Sequence, residues 1–217
     1  MRDQAVEFSR KEFIAIYSKQ TIREAIKSFE WDSKLTREEV EIDLRQAWAD
    51  RDSDLVGFKT AVRQVHMWGF GNKPLKSSLD NDELFWSRLR NVLESWYLDH
   101  SDKVESLSRL LSLKGLGIAT ASKWICMLDQ ERFAIYDSRV SAALAGITDN
   151  GKRIFPIVGR RSVESKKYPP QDYRAGKAHL ISEDYQTFIL MLQSLQEHYE
   201  VDSVSELEKA LFMLGKD

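Results

Sequence analysis

Apolar residues recur at helical spacing along most of the chain. Leu55, Phe58, Val62 and Val65 form one stripe, and Phe85, Leu89, Val92, Leu93 and Trp96 form the next. Three- and four-residue steps of this kind place side chains on one face of an α-helix, so each run predicts an amphipathic helix packed on a core. Thr36 and Glu39 have the spacing of a capping box, with Leu35 and Val40 placed as a hydrophobic staple, which predicts a helix from about Arg37 to Trp48. Near the other end Tyr185, Phe188, Ile189, Leu192, Leu195 and Tyr199 make one long stripe with Ser182 as its candidate cap. A final helix is expected behind Ser203 and Glu206, burying Leu207, Ala210, Leu211 and Leu214 and stopping at Gly215. With only 10 Gly and 4 Pro in 217 residues, an all-α fold is expected over a many-turned β-fold.

Two stretches break the period. One is GFGNKPLKSS, from Gly69 to Ser78, and the other runs from about 149 to 180. The second carries Lys152, Arg153, Arg160, Arg161, Lys166, Lys167, Arg174 and Lys177 against Asp149, Glu164 and Asp172, a local positive excess inside a protein of net charge −2. A long irregular segment in a compact domain is usually functional or disordered, and this one reads as a basic insertion, functional or simply a solvated linker, in a single helical domain spanning 1–217.

The segment from Leu111 to Leu144 holds two chemical signals. In the first, a helix bearing Val104, Leu107, Leu110 and Leu111 ends in Lys114-Gly115-Leu116-Gly117, and a second helix begins at once with Ile118, Ala121, Ile125 and Leu128 on one face. The paired glycines permit a tight reversal and close backbone approach. The turn presents the first N–H groups of the second helix, around Ile118, Ala119 and Thr120, to an anion such as a phosphate, and Lys114 can add a second contact. In the second signal, Phe133-Ala134-Ile135-Tyr136 leads to Asp137 and then to a short helix that buries Val140, Ala143 and Leu144. Asp137 can cap that helix, and the helix N-terminus in turn favours the ionised carboxylate that a cationic transition state needs.

A Gly-apolar-Gly hairpin followed, after one helix and a short loop, by an apolar stretch ending in an aspartate resembles the helix-hairpin-helix DNA glycosylase superfamily. That superfamily includes endonuclease III, the adenine-mismatch glycosylase and the 8-oxoguanine glycosylases. The resemblance implies a two-lobed all-α fold, double-stranded DNA as partner, Gly115, Leu116 and Gly117 as the hairpin, and Asp137 as the catalytic carboxylate. It also implies extrusion of one nucleotide from the duplex before the base–sugar bond is broken. Members that also cleave the strand carry a nucleophilic lysine two residues beyond the second hairpin glycine, where this protein has Ala119. Lys123 lies one turn further along that face, where a solvated or phosphate-contacting lysine is the expectation. The reading is therefore a monofunctional glycosylase that hydrolyses without a covalent intermediate. A catalytically inactive DNA-binding relative is the main alternative, and a helical interaction protein with no nucleic-acid role is a third.

The remaining composition narrows this picture. A single cysteine, Cys126, excludes an internal disulfide and the four-cysteine iron–sulfur cluster that some helical glycosylases carry, and it points to a reducing compartment. His66, His100, His179 and His198 show no metal-ligand spacing, so neither metal nor cofactor is expected. No membrane span or signal segment is legible, and a cytoplasmic monomer is expected. Because the protein as a whole is acidic, with a pI near 6.1, its DNA contacts must be local. The hairpin and Arg160, Arg161, Lys166 and Lys167 are the candidates. Trp68, Phe70, Trp86, Trp124 and Tyr136 could stack on an extruded base, but at helical spacing most are expected in the core.

Overall fold

The computed structural model describes residues 2–30, 36–155, 158 and 177–215. Across them the protein is helical: α1 (Arg2–Ile16), α2 (Lys19–Lys27), α3 (Arg37–Ala49), α4 (Leu55–Gly69), α5 (Ser77–Asp80), α6 (Glu83–Tyr97), α7 (Lys103–Leu111), α8 (Ile118–Leu128), α9 (Ser138–Ala143), α10 (Ala178–Tyr199) and α11 (Val204–Leu214). The described strands are β1 (Thr148–Asp149) and β2 (Lys152–Arg153), an antiparallel pair turned through Asn150 and Gly151, both at positive φ. The start of the basic insertion is thus a small hairpin rather than an irregular segment.

Local chemistry sets most helix ends. The capping box at α3 is complete: Thr36 Oγ1 accepts the Glu39 N–H at 3.1 Å, and Glu39 Oε2 accepts the Thr36 N–H at 2.7 Å. Its staple partner Leu35 lies outside the described residues. At α11 the box is half-formed, because Ser203 accepts the Glu206 N–H whereas the Glu206 carboxylate turns to the Asp202 N–H. Ser182 is not a cap. The last long helix begins four residues earlier, and the buried Ser182 hydroxyl donates to the Ala178 carbonyl inside it, satisfying a polar group that the apolar stripe does not register.

One continuous cluster of buried side chains runs from Phe13 to Phe212. Helix α8 lies within it, touching α3, α4, α6, α7 and α10, and every residue from Ala121 to Leu128 is buried. Each Leu-sized side chain so buried contributes about 1.5–3 kcal/mol. Helix α11 packs on α2, α9 and α10. Trp68, Trp86, Trp124 and Tyr136 are core residues, as the spacing predicts, and the Trp124 indole N–H donates to the Val62 carbonyl of α4 at 3.0 Å. Phe70 differs from those four in being only half-buried. No described helix is long and apolar enough to cross a membrane.

Candidate active site

The turn between α7 and α8 has the form its glycines predict. Gly115 takes φ +90°, a conformation that a side chain would strain, while Gly117 is extended and provides the N-terminal end of α8 with no side-chain cap. Among the described residues, nothing accepts the Ile118 and Ala119 N–H groups. Thr120 departs from expectation, because its N–H folds back to the Gly117 carbonyl at 3.0 Å and leaves the donor set at Ile118 and Ala119. Lys114, Gly115 and Gly117 are exposed, and Leu116 packs partly onto the core. A second cation, not anticipated from the sequence, joins Lys114: exposed Lys76 places its Nζ 3.1 Å from where a Cβ on Gly115 would stand. Lys76, the exposed Lys114 and two N–H groups without an acceptor among the described residues therefore belong to this turn, at the positive end of the helix dipole.

The approach to Asp137 is tied down along its length. The Cys126 thiol donates to the Phe133 carbonyl at 3.4 Å, the Tyr185 hydroxyl to the Ala134 carbonyl at 2.9 Å, and the Tyr136 N–H to Ser122 Oγ of α8 at 3.0 Å. This last bond fixes Asp137 beside the hairpin helix. Asp137 is also the N-cap of α9, its Oδ1 accepting the Arg139 N–H at 2.9 Å and the Val140 N–H at 3.1 Å. Its other oxygen, Oδ2, has no hydrogen-bond partner among the described residues, and the side chain is half-exposed. Oδ1 is thus committed to the end of α9.

Lys123 is not solvated. It is 2% exposed, against the expectation for a charged helix position, because the segment that follows α4 covers it. Its Nζ donates to the Ala119 carbonyl at 3.0 Å and lies 4.7 Å from the centre of the Phe70 ring. Gly69 makes this possible, since a Cβ there would fall 2.3 Å from the lysine Cδ. Burial lowers the Lys123 pKa; the Asp137 and Glu208 carboxylates oppose that shift and Arg37 reinforces it. His66 stacks on Phe70 with ring centres 4.7 Å apart, and burial, aided by the Lys123 charge, lowers its pKa. His66, Gly69, Phe70 and Lys123 thus form one cluster, in which the Lys123 charge feels the Asp137 carboxylate.

A buried ion pair lies near enough for Lys123 to feel its charges. Arg37 Nη1 of α3 lies 2.7 Å from the Glu208 carboxylate of α11, and Arg37 Nη2 donates to Cys126 Sγ at 3.1 Å. Burial opposes the arginine charge, but Glu208 and Cys126 outweigh it and raise the Arg37 pKa, while burial raises that of Glu208. Burial also pushes the Cys126 thiol up to about 12, which makes it an inert hydrogen-bonding group rather than a nucleophile. Sequence periodicity could not reveal this pair, because its members belong to helices at opposite ends of the sequence.

Arg160, Arg161, Lys166 and Lys167 lie outside the described residues. The structure thus brings together the hairpin, Asp137 and Lys123, and adds Lys76, Phe70 and His66 from the region of α4 and α5. Among known proteins, the sequence model of the family described as "Putative 8-oxoguanine DNA glycosylase OGG-like protein" matches residues 1–212. No curated protein and no solved structure matches the sequence.

Proposed function

This chain belongs to that OGG-like glycosylase family, and from this premise we propose that it is a monomeric enzyme that excises an oxidised purine, of the 8-oxoguanine class, from double-stranded DNA. The α7–α8 turn acts as a helix-hairpin-helix. The Ile118 and Ala119 N–H groups, with Lys114 and Lys76, grip one phosphate, and Arg160, Arg161, Lys166 and Lys167 add contacts along the backbone. Extrusion of the damaged nucleotide brings its sugar to Asp137. As the base departs, positive charge develops over C1′ and the ring oxygen, and a fixed carboxylate stabilises it more than the neutral ground state. The same oxygen can orient a water for attack on C1′.

The observation that carries this reading is the division of labour at Asp137: Oδ1 is held by two helix N–H groups while Oδ2 is unengaged among the described residues, next to the hairpin helix. Duplexes containing 8-oxoguanine opposite each of the four bases, scored for alkali-labile sites, test it. Base release by the natural protein and none by Asp137→Asn is the expected result. Binding without release from any oxidised base would leave the inactive DNA-binding alternative. With Ala119 at the family's lysine position, the reaction on this reading alone ends at hydrolysis.

A further inference from the structure

Helices α6 and α7 run antiparallel. The Trp96 indole N–H at the end of α6 donates to the Lys103 carbonyl at the start of α7 at 3.1 Å, and Arg88, earlier on α6, donates to the Arg109 carbonyl near the end of α7 at 2.6 Å. Their apolar stripes enter the core, but each helix carries a second, polar stripe: Arg88, Asn91 and Ser95 on α6, Ser106 and Arg109 on α7. These stripes line a cleft of about 390 Å³, within the size range of small-ligand sites, and every described residue that lines it is polar or charged.

The two ends of the cleft differ. At one, half-buried Arg88 makes no ion pair among the described residues. Its Nη1 is spent on the Arg109 carbonyl and on Ser112 Oγ at 3.0 Å, which fixes the guanidinium plane and leaves Nε and Nη2 without an acceptor among the described residues. An arginine fork held in this way is suited to two oxygens of a phosphate. Arg109 adds a second cation, shared with Glu105 at 3.0 Å. Further along, the cleft offers acceptors. The buried Ser95 and Ser106 hydroxyls donate to the Asn91 and Lys103 carbonyls of their own helices, so only their lone pairs remain for a ligand. Asp102 stands at the N-cap of α7 without making a cap hydrogen bond, and the Glu94 carboxylate has no partner among the described residues. His100 and the positive end of α7 lie among these carboxylates, so this end does not demand a cation.

Donors at one end and acceptors at the other call for a ligand with the reverse order. We propose that the cleft between α6 and α7 binds a phosphorylated sugar, with the phosphate on Arg88 and Arg109 and the hydroxyls on Ser95, Ser106, Glu94 and Asp102. Asn91, which can donate and accept, serves the middle. The polar lining gives a nucleobase no face on which to stack, so recognition stops at the sugar and its phosphate. None of these residues belongs to the cluster around Asp137, and the site stands whether or not the protein excises a base. A free sugar phosphate and the 5′-phosphorylated end of a DNA strand both offer this chemistry.

The test is calorimetric titration of the full chain with 2-deoxyribose 5-phosphate, 2-deoxyribose, inorganic phosphate and phosphoethanolamine, and with a short DNA strand with and without a 5′ phosphate. The sugar phosphate should bind saturably, inorganic phosphate more weakly and the unphosphorylated sugar not at all. Arg88→Gln should weaken the sugar phosphate about 10- to 100-fold, as loss of hydrogen bonds from a charged donor does, and Arg109→Gln by a smaller factor. Glu94→Ala should narrow the preference for the sugar phosphate over inorganic phosphate, a ratio in which the change of charge cancels. A 5′-phosphate-dependent gain in DNA binding that Arg88→Gln abolishes assigns the site to a strand end; without that gain, binding of the free compound assigns it to a small sugar phosphate. No phosphate-dependent binding of either ligand overturns the proposal. So does binding that neither arginine variant weakens, which would leave Arg88 as a clamp on the end of α7, or a tighter hold on phosphoethanolamine, whose ammonium would pair with the carboxylates. If Arg88→Gln does not fold, Arg109→Gln and the Glu94→Ala ratio decide.

Discussion

Helices α8 and α9 begin in opposite ways. Helix α9 carries its own anion: Asp137 caps it, and two of its N–H groups are satisfied from within the protein. Helix α8 starts at Gly117 with no side chain, and among the described residues nothing accepts the N–H groups of Ile118 and Ala119, which lie at the turn that carries Lys114 and meets Lys76. A helix N-terminus favours negative charge in either case. Where the protein supplies the charge, the result is a positioned carboxylate. Where it does not, the helix end can take an anion from outside. Side by side, the two ends suit the two parts of a nucleotide, a cation-like sugar at the first and a phosphate at the second.

The largest effect should come from breaking the first end chemically while keeping it as a cap. Asparagine caps helices about as well as aspartate, so Asp137→Asn should leave the melting temperature nearly unchanged and duplex affinity intact. Removing a charge aimed at a transition state typically costs about 10²–10³ in rate, and single-turnover base release should fall by at least that much. Full activity in a stable Asp137→Asn protein would reduce Asp137 to its capping role. Asp137→Ala removes both functions and should add a stability loss of about 1 kcal/mol, seen in urea unfolding.

Next in size is a change in the cluster around Lys123. Gly69→Ala would place a Cβ 2.3 Å from the Lys123 Cδ in a packed interior. Overpacking of this kind costs about 1–3 kcal/mol, while replacing glycine in a helix returns up to about 1 kcal/mol, so a net loss on the order of 1 kcal/mol is expected. For a protein of this size that is about 2–4 °C in Tm. A Gly69→Ala protein as stable as the parent would show that Lys123 is not confined as described.

These regions were not equally legible in the sequence. The α7–α8 turn, α8 and the approach to Asp137 are continuous in sequence, so period, glycine placement and capping chemistry could be read locally, and the helix ends at Arg37 and Ile118 follow from that. The surroundings of Lys123 could not be read. Gly69 and Phe70 reach it from α4, Lys76 reaches Gly115 from the segment before α6, and Arg37 meets Glu208 across nearly the whole sequence; a one-dimensional pattern holds no record of such meetings. A charged residue on a helix is exposed far more often than buried, and that general tendency gave the wrong environment for Lys123. Ser182 failed for a related reason: a serine ahead of an apolar stripe marks a cap only if the helix starts there, and its hydroxyl is satisfied one turn back instead.

The smallest effect, and the sharpest test of the contrast, is to make α8 begin as α9 does. Gly117 is extended, at φ −130° and ψ 166°, and a Cβ there would meet nothing within 4 Å, so Gly117→Asp is sterically free. Its carboxylate can accept the N–H groups of the first turn, as Asp137 does at α9. Because glycine is already a tolerable N-cap, the gain in stability should be only a few tenths of a kcal/mol. The same carboxylate would occupy the place of the phosphate and repel it, removing a helix-terminus contact worth about 0.3–1 kcal/mol. Duplex affinity at low salt should therefore fall up to about fivefold, and the slope of log K against log salt should become shallower by about 0.9 if one phosphate contact is lost. Stability and affinity would then move in opposite directions from a single substitution. Unchanged affinity in a Gly117→Asp protein of equal or higher stability would mean that the open end of α8 does not meet DNA, and the comparison between the two helix ends would lose its functional half.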